Sequence, residues 1–235
     1  MKLSYSLLTA LVFTAGVATA QVSLVTTPGA LAADDSVSWS QFGSYGTDVP
    51  SGSIANTTLG NTLTLTRAGV LPMVRIDQSG PDAFDGNFAP GDKLLWNGLS
   101  ASNAIRFDPS ALIFGAGFQI QDNSLGAFTA QIKAYNSSNT LLGTVTRDGV
   151  SNRNNDGSAI FIGFTSTLAV DYYTVQLSAS TASIYDFAIN TTLLRNREYT
   201  PDLPPVTPVP EPSTYGLLGA GALAGLAFLR RRRQA

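Results

Sequence analysis

The chain has 235 residues, of which 13% are charged and 44% hydrophobic, and it contains neither cysteine nor histidine. These absences exclude disulfide bonds, thiol nucleophiles, zinc sites built from Cys and His, and catalytic triads that need an imidazole. Nine basic and 14 acidic residues lie between positions 21 and 200, which gives this part a net charge of −5. That charge argues against a nucleic acid and against an anionic membrane surface as partners.

The first 20 residues have the pattern of a secretory signal peptide. Lys2 supplies a positive start, an apolar run covers residues 7–17, and Ala18 and Ala20 form the small-x-small pattern that precedes a cleavage site. The apolar run is too short to span a bilayer comfortably. We therefore expect cleavage after Ala20.

A proline-rich segment and an apolar segment follow the central part of the chain. Half of the 12 prolines lie in residues 199–212, and because proline favours an extended, semi-rigid backbone, this segment is predicted to be a stalk. Residues 213–229 are predicted to form a single transmembrane helix of about 25 Å, marginally short for a bilayer core of about 30 Å. In the final segment, residues 230–235, four arginines are expected to stay cytoplasmic and leave the body outside. They are Arg230, Arg231, Arg232 and Arg233.

The C-terminal tail joins three features in a fixed order: the triplet Pro210, Glu211 and Pro212, an apolar helix, and an arginine cluster. This tripartite pattern resembles the PEP-CTERM sorting signal found on exported proteins of Gram-negative bacteria. The resemblance implies that an exosortase-type membrane enzyme recognises the tail and processes it near the triplet. It also implies transient anchoring in the inner membrane, followed by the cell surface or secretion, often in bacteria that make exopolysaccharide or a biofilm matrix.

Residues 21–198 are predicted to form one all-β domain, because apolar and polar residues alternate with period two and no helical period is sustained. Turn signals at 90–92, 136–139 and 154–157 separate the strands. About nine short strands with one buried face each predict an antiparallel β-sandwich of the jelly-roll type. The strands are predicted near residues 36–42, 62–66, 72–77, 112–120, 128–135, 140–147, 158–165, 174–178 and 183–190.

Segment 78–104 is the longest stretch that the sequence predicts to be irregular, and long loops of a sandwich often carry its function. It contains acidic residues that calcium, a hard cation with oxygen ligands, would prefer. The candidate ligands are Asp77, Asp82 and Asp85 together with Asp186. Asp186 is included because the segment 184–189 resembles the last strand of carbohydrate-binding jelly rolls, where an Asp often binds structural calcium.

A second loop, residues 152–157, begins like an EF-hand. Its first ligand position is Asn152 and its twelfth is Gly163, where an EF-hand needs a bidentate Glu. An EF-hand is therefore excluded, and a hairpin turn is predicted.

Carbohydrate binding is a further candidate activity, since sugars stack their C–H faces on aromatic rings. Trp96 and Tyr45 are candidate platforms, and Trp96 is the more suggestive because it follows the irregular loop. Trp39 lies in an alternating Ser-Val-Ser-Trp-Ser run and is predicted to pack in the core instead.

The sequence favours an exported, surface-sorted, non-enzymatic β-sandwich protein of the bacterial envelope or extracellular polysaccharide matrix, with no catalytic residue assigned. The expected partner is an exosortase, and exopolysaccharide is a candidate partner. One alternative is a carbohydrate-binding module with a structural calcium. Another is a carboxylate-dependent glycan-active enzyme, which would need two exposed carboxyls about 5 to 10 Å apart in one cleft, with Asp82, Asp85 and Asp92 as candidates.

Overall fold

The computed structural model describes residues 21–69, 71–78, 84, 86–98, 104–181 and 185–198. The chain divides into two compact units, Met1–Tyr199 and Thr200–Ala235, and the described residues all belong to the first. The predicted signal peptide, stalk, apolar helix and arginine tail lie outside the described residues. Within the described ranges, the structure contains no helix with the length and apolar character needed to span a membrane.

The described part of the first unit is built almost entirely from β-strands. A short helix α1 covers Pro28–Leu31, and a 3₁₀ turn covers Trp39–Phe42. The strands are β1 (Val22–Val25), β2 (Asp35–Val37), β3 (Thr47–Val49), β4 (Ser53–Asn56), β5 (Thr62–Arg67), β6 (Met73–Asp77), β7 (Lys93–Trp96), β8 (Ile105–Pro109), β9 (Ile113–Asp122), β10 (Gly126–Tyr135), β11 (Leu141–Ser151), β12 (Ile160–Val170), β13 (Tyr172–Ser180), β14 (Phe187–Ile189) and β15 (Thr192–Arg195).

The strands form two sheets. Sheet A has the order β1-β12-β9-β14-β7-β6-β3, and β15 pairs with both β9 and β2. Sheet B has the order β11-β10-β13-β8-β5-β4. All ladders between these strands are antiparallel. The prediction of an all-β, antiparallel fold is confirmed, and the jelly-roll connectivity stays a prediction.

Strand β10 shows why the alternating sequence produces a two-layer structure. Its residues Phe128, Ala130, Ile132 and Ala134 are buried, and the residues between them are exposed or half-buried. Because successive side chains of a strand point to opposite faces, one face of β10 is apolar and must be covered. The apolar faces of both sheets contribute to one hydrophobic core.

Aromatic rings fill the centre of this core. Phe107 of sheet B stacks on Tyr173 of the same sheet, with ring centroids 4.9 Å apart, and lies 6.5 Å from Phe118 of sheet A. Phe164 of sheet A meets Tyr173 edge-on at 5.7 Å. The two sheets therefore pack face to face through contacts between aromatic rings.

The structure changes the predicted strand at 36–42. Strand β2 ends at Val37, and a 3₁₀ turn begins at Trp39 after Ser38 caps it by accepting a hydrogen bond from the Ser40 N–H. Trp39 is fully buried, and its indole N–H donates to the Asn190 carbonyl at 2.7 Å. The prediction that Trp39 packs in the core is confirmed.

Two further connections differ from the sequence prediction. Segment 78–104 is not irregular throughout, because it contains β7, which pairs with β6 and β14 in sheet A. The loop at 152–159 is not a hairpin, since β11 before it belongs to sheet B and β12 after it belongs to sheet A. The predicted turn at 136–139 does form a hairpin between β10 and β11, with Asn139 at a positive φ of 59°.

Asp35 links β2 to the loop before β5 through hydrogen bonds. Its Oδ1 accepts hydrogen bonds from the Thr58 hydroxyl at 2.8 Å and from the Leu59 N–H at 2.9 Å. Burial by itself raises the pKa of Asp35, but hydrogen bonds from Thr57, Leu59, Thr58 and Ser36 outweigh it and lower the pKa to about 2. The folded chain therefore stabilises the ionised form of this carboxyl.

Acid should weaken the fold partly through Asp35. The folded-state pKa of about 2 lies below the ordinary value of 3.8. The stabilisation is therefore fully present above about pH 4 and is lost as the pH falls through the folded-state value. Urea unfolding measured between pH 2 and pH 5 should show a shallower pH dependence for Asp35→Asn than for the wild type. Asp48→Asn, at an exposed position of β3, should keep the wild-type slope, and an equal slope for Asp35→Asn would contradict this role.

Candidate functional site

Two buried carboxylates, Asp122 and Asp186, lie where β9 ends and β14 begins; they are termed the carboxylate pair. Antiparallel pairing sets Phe187 of β14 opposite Asp122 of β9. The Asn123 N–H donates to the Asp186 carbonyl at 3.0 Å. Asp186 is therefore next to Phe187, the residue opposite Asp122, and Asp122 is next to Asn123, the residue bonded to Asp186. Both residues are only 1% exposed. One end of sheet A thus contains two acidic side chains withdrawn from solvent.

The two carboxylates differ in their hydrogen bonds. Asp122 accepts from the Ser124 N–H at Oδ1, at 2.8 Å, and from the Ser180 hydroxyl at Oδ2. Asp186 accepts from the Asn123 side-chain amide at Oδ2, at 2.9 Å, and its buried Oδ1 has no hydrogen-bond partner. Both oxygens of Asp122 therefore accept a hydrogen bond, whereas only one oxygen of Asp186 does.

The electrostatic environment of the carboxylate pair is unfavourable for two negative charges. Burial raises the pKa of Asp122; hydrogen bonds from Ser180 and Ser124 oppose this effect, and the charge of Asp186 adds to it. No ion pair among the described residues includes Asp122 or Asp186. The protonated form of Asp122 is therefore more favoured than it would be at an exposed position.

An open depression of about 570 Å³ lies on sheet B beside the carboxylate pair. Ser180 joins the two features, because it lines the depression and its hydroxyl donates to Asp122. The Thr129 hydroxyl in the lining donates to Asp148 at 2.7 Å. The lining residues are Ala127, Phe128, Thr129, Asp148, Gly149, Val150, Ala179, Ser180 and Thr181. Hydroxyl and carboxylate groups beside apolar side chains suit a neutral polar ligand such as a sugar.

The structure does not bring Asp77 and Asp186 together. Asp77 pairs with Lys93 across β6 and β7, whereas Trp96 is opposite Ala188 across β7 and β14. By this register, Asp77 and Asp186 are displaced by about five residues along the strand direction, or roughly 17 Å. Asp82 and Asp85 lie outside the described residues. Within the described ranges, no three acidic side chains come together as a metal site.

Asp77 is instead the centre of an ion-pair group. Its Oδ1 contacts the Lys93 ammonium at 3.0 Å and the Arg75 guanidinium. Burial raises the pKa of Asp77, but Lys93 and Arg75 together lower it below its ordinary value. Two basic groups already neutralise this carboxylate, so Asp77 is a poor candidate ligand for calcium.

The two predicted stacking residues lie in different environments. Trp96 is half-buried and packs on the outer side of sheet A against a second hydrophobic cluster that includes Phe84, Phe88 and Ala188. Its indole nitrogen is buried without a hydrogen-bond partner. Tyr45 is 41% exposed in the turn before β3. Trp96 contributes chiefly to packing, and the stacking role of Tyr45 stays a prediction.

A layer of amide side chains covers the outer face of β9, and the sequence prediction missed it. Gln121 accepts from the Asn87 N–H and donates to the Asn152 carbonyl at 3.1 Å. Gln78 donates to the Asn155 side chain at 3.0 Å. A side chain at Gly86 would place its Cβ 2.6 Å from the Gln121 amide. These bonds tie two loops to sheet A and join residues distant in sequence, so no local pattern could reveal them.

Comparison with protein families identifies the C-terminal tail. Residues 208–233 match the family model described as the PEP-CTERM protein-sorting motif, and a comparison with curated proteins gives no match. The matched range contains the triplet Pro210, Glu211 and Pro212 as well as Arg230 to Arg233, all outside the described residues. The resemblance found in the sequence is confirmed. The chain carries a PEP-CTERM sorting motif, which implies an exported, surface-sorted protein that transits a membrane and is processed by an exosortase-type enzyme.

Proposed function

We propose that the chain is a non-enzymatic β-sandwich protein of the bacterial envelope or of the extracellular polysaccharide matrix. The single observation that carries the proposal is the sorting motif at residues 208–233. Export would begin with the signal peptide, cleaved after Ala20, and the tail would then hold the protein in the inner membrane until processing near Glu211. The β-rich unit is the part delivered outside.

The residue types present in the chain support a role without catalysis. The chain has no His and no Cys, so acid–base chemistry would depend on carboxylates. Several described carboxylates are engaged in structural ion pairs, as in Asp77 with Lys93, Asp108 with Arg106, and Asp34 with Arg197. A glycan-active enzyme remains the alternative in which Asp82, Asp85 and Asp92 form a cleft.

The outer face of sheet B also suits a hydrated matrix. Its side chains are largely neutral and polar, and neighbouring strands are linked by bonds such as Gln176 to Gln131 at 3.0 Å. The ring of Tyr172 stacks on the ring of Tyr135. The Arg106 guanidinium also contacts the Tyr172 ring, 3.5 Å from its centroid. The aromatic side chain of Tyr172 on this face is therefore largely covered.

Replacing the triplet Pro210, Glu211 and Pro212 by three alanines should block sorting. An epitope inserted in the exposed 136–139 hairpin turn should report the wild-type protein at the surface or in the medium, at a reduced mass after processing. The triple variant should remain in the inner-membrane fraction at the unprocessed mass, because the processing enzyme has lost its recognition sequence. Fractionation followed by intact-mass measurement decides between these outcomes.

A matched control replaces Pro201, Pro204 and Pro205 by alanine, which changes the proline-rich segment and leaves the whole matched motif at 208–233 intact. This control should be sorted and processed normally. If the triplet variant showed the same location and mass as the wild type, the sorting mechanism proposed for this chain would be wrong.

The second candidate function is a carbohydrate-binding module with a structural calcium, and the depression on sheet B favours it. A sugar there could donate to the Asp148 carboxylate and to the hydroxyl oxygen of Thr181, whose own hydrogen is donated to the Leu125 carbonyl. The exposed apolar side chain of Val150 would contact its C–H groups.

Glycan binding should depend on Asp148. On a glycan array and in affinity electrophoresis with exopolysaccharide, Asp148→Ala should weaken binding about 10- to 150-fold, since one hydrogen bond to a charged group contributes about 1.5 to 3 kcal/mol. Asp48→Ala, an exposed carboxylate on sheet A, should bind like the wild type. Absence of any bound glycan for the wild-type protein, with and without chelator, would remove this candidate.

A further inference from the structure

Four connections between strands lie at one end of the sandwich, and each has an exposed leucine in it or close beside it. The connections join β4 to β5, β8 to β9, β10 to β11, and β12 to β13. Their leucines, between 46% and 60% exposed, are Leu59, Leu112, Leu141 and Leu168. These four residues are termed the leucine rim.

A backbone hydrogen bond brings the first two of these connections together. The Ser110 N–H, in the connection from β8 to β9, donates to the carbonyl of Thr62 at 2.8 Å. Thr62 is the first residue of β5 and pairs with the last residue of β4. The turn that contains Leu59 therefore lies beside the connection that contains Leu112.

Strand pairing places the other two leucines at the same end. The first residue of β9 pairs with the last residue of β12, so Leu112 and Leu168 lie at the ends of neighbouring strands. In sheet B, Tyr135 pairs with Tyr172 on one side and with Leu141 on the other. Tyr172 begins β13 directly after the turn from β12, and Leu141 is thus two strands away from that turn.

The connections that carry the leucine rim are almost uncharged. They cover residues 57–61, 110–112, 136–141 and 166–171, which contain Asp171 as their one charged residue and are otherwise mostly Ser, Thr, Asn and Leu. Leucines grouped on a neutral surface suit an apolar partner better than a charged one. The net charge of −5 over positions 21–200 likewise disfavours an anionic partner.

The chain leaves the described unit at this same end. Strand β15 places Arg195 opposite Gly115 of β9, so its last residues point toward the start of β9, where the leucine rim lies. Glu198 is the last described residue, and the sorting motif covers 208–233. Only nine residues, 199–207, separate the two. The end of the sandwich with the exposed leucines is therefore the end that continues into the sorting tail.

We propose that the leucine rim rests on the surface of a lipid bilayer while the sorting tail holds the protein in the membrane. The proposal rests on the membrane-anchored stage of the function proposed above. Leucine side chains that enter the boundary between headgroups and acyl chains leave water, and the gain follows the apolar area that they bury. Contacts of this size are weak compared with a transmembrane helix, so processing of the tail would also release the rim.

Fluorescence quenching by lipids tests the contact on the full-length protein, because a chain without cysteine can be labelled at one chosen position. A nitrobenzoxadiazole label on Ser137→Cys, in the exposed β10–β11 turn, reports on the rim. The same label on Leu125→Cys, exposed after the last strand residue of β9, reports on the opposite end. In phosphatidylcholine vesicles with nitroxide-labelled acyl chains, the rim label should be quenched about threefold more strongly than the opposite-end label.

Replacing three rim leucines by serine should remove this difference. The triple variant Leu59→Ser, Leu112→Ser and Leu168→Ser, labelled at Ser137→Cys, should be quenched no more than the opposite-end label, because the side chains that enter the lipid are gone. All three are exposed, so the core is unchanged. Leu71→Ser is the matched control, since this leucine is 51% exposed at the opposite end, and it should keep the wild-type quenching.

Equal quenching at both ends of the wild type, or unchanged quenching in the triple serine variant, would overturn the proposal. Cross-linking of two copies through Ser137→Cys without quenching by lipid would assign the rim to a second copy and overturn it too. Flotation of the protein with vesicles separates the two levels of the account. Flotation without quenching of the rim label removes the leucine contact alone, whereas a wild type that does not float removes the membrane-anchored stage as well.

Discussion

Phe107 contacts aromatic rings that come from both layers of the sandwich. It stacks on Tyr173 at 4.9 Å within sheet B, lies 6.5 Å from Phe118 of sheet A, and lies 6.3 Å from Trp39 of the 3₁₀ turn. Large buried rings supply both apolar area and favourable ring geometry. The depression and the carboxylate pair lie at one end of this packed core, so their positions depend on the two sheets keeping one relative arrangement.

The same packing sets which polar groups the fold leaves unsatisfied. The Tyr173 hydroxyl is fully buried without a hydrogen-bond partner, and burial raises its pKa. Its ring stacks on Phe107 and meets Phe164, and these contacts offset the lost hydrogen bond. The carboxylate pair differs, because two buried charges cost far more than one hydroxyl, and aromatic packing cannot compensate for charge.

Local patterns in the sequence were enough to predict long strands with one buried face, such as β10. They were also enough to predict the sorting tail, because its three features follow one another along the chain. They were insufficient for β7, because a strand of four residues is too short to show a clear alternation of apolar and polar residues. They also grouped Asp77 with Asp186, because the sequence could not show that Lys93 and Arg75 neutralise Asp77. A signal for Asp122 was present, since it continues the inward alternation of Phe118 and Ile120 along β9. Its proximity to Asp186, 64 positions later, comes only from the pairing of β9 with β14.

The central physical claim is that the two sheets form one cooperative unit through the aromatic core. Urea unfolding of Phe107→Ala measures it most directly. The expected loss in the free energy of unfolding is about 3 to 5 kcal/mol, whereas Leu112→Ala, at a position 57% exposed, should change it by no more than about 0.5 kcal/mol. A Phe107→Ala variant that unfolds in the same single transition as the wild type, within about 0.5 kcal/mol, would contradict the claim.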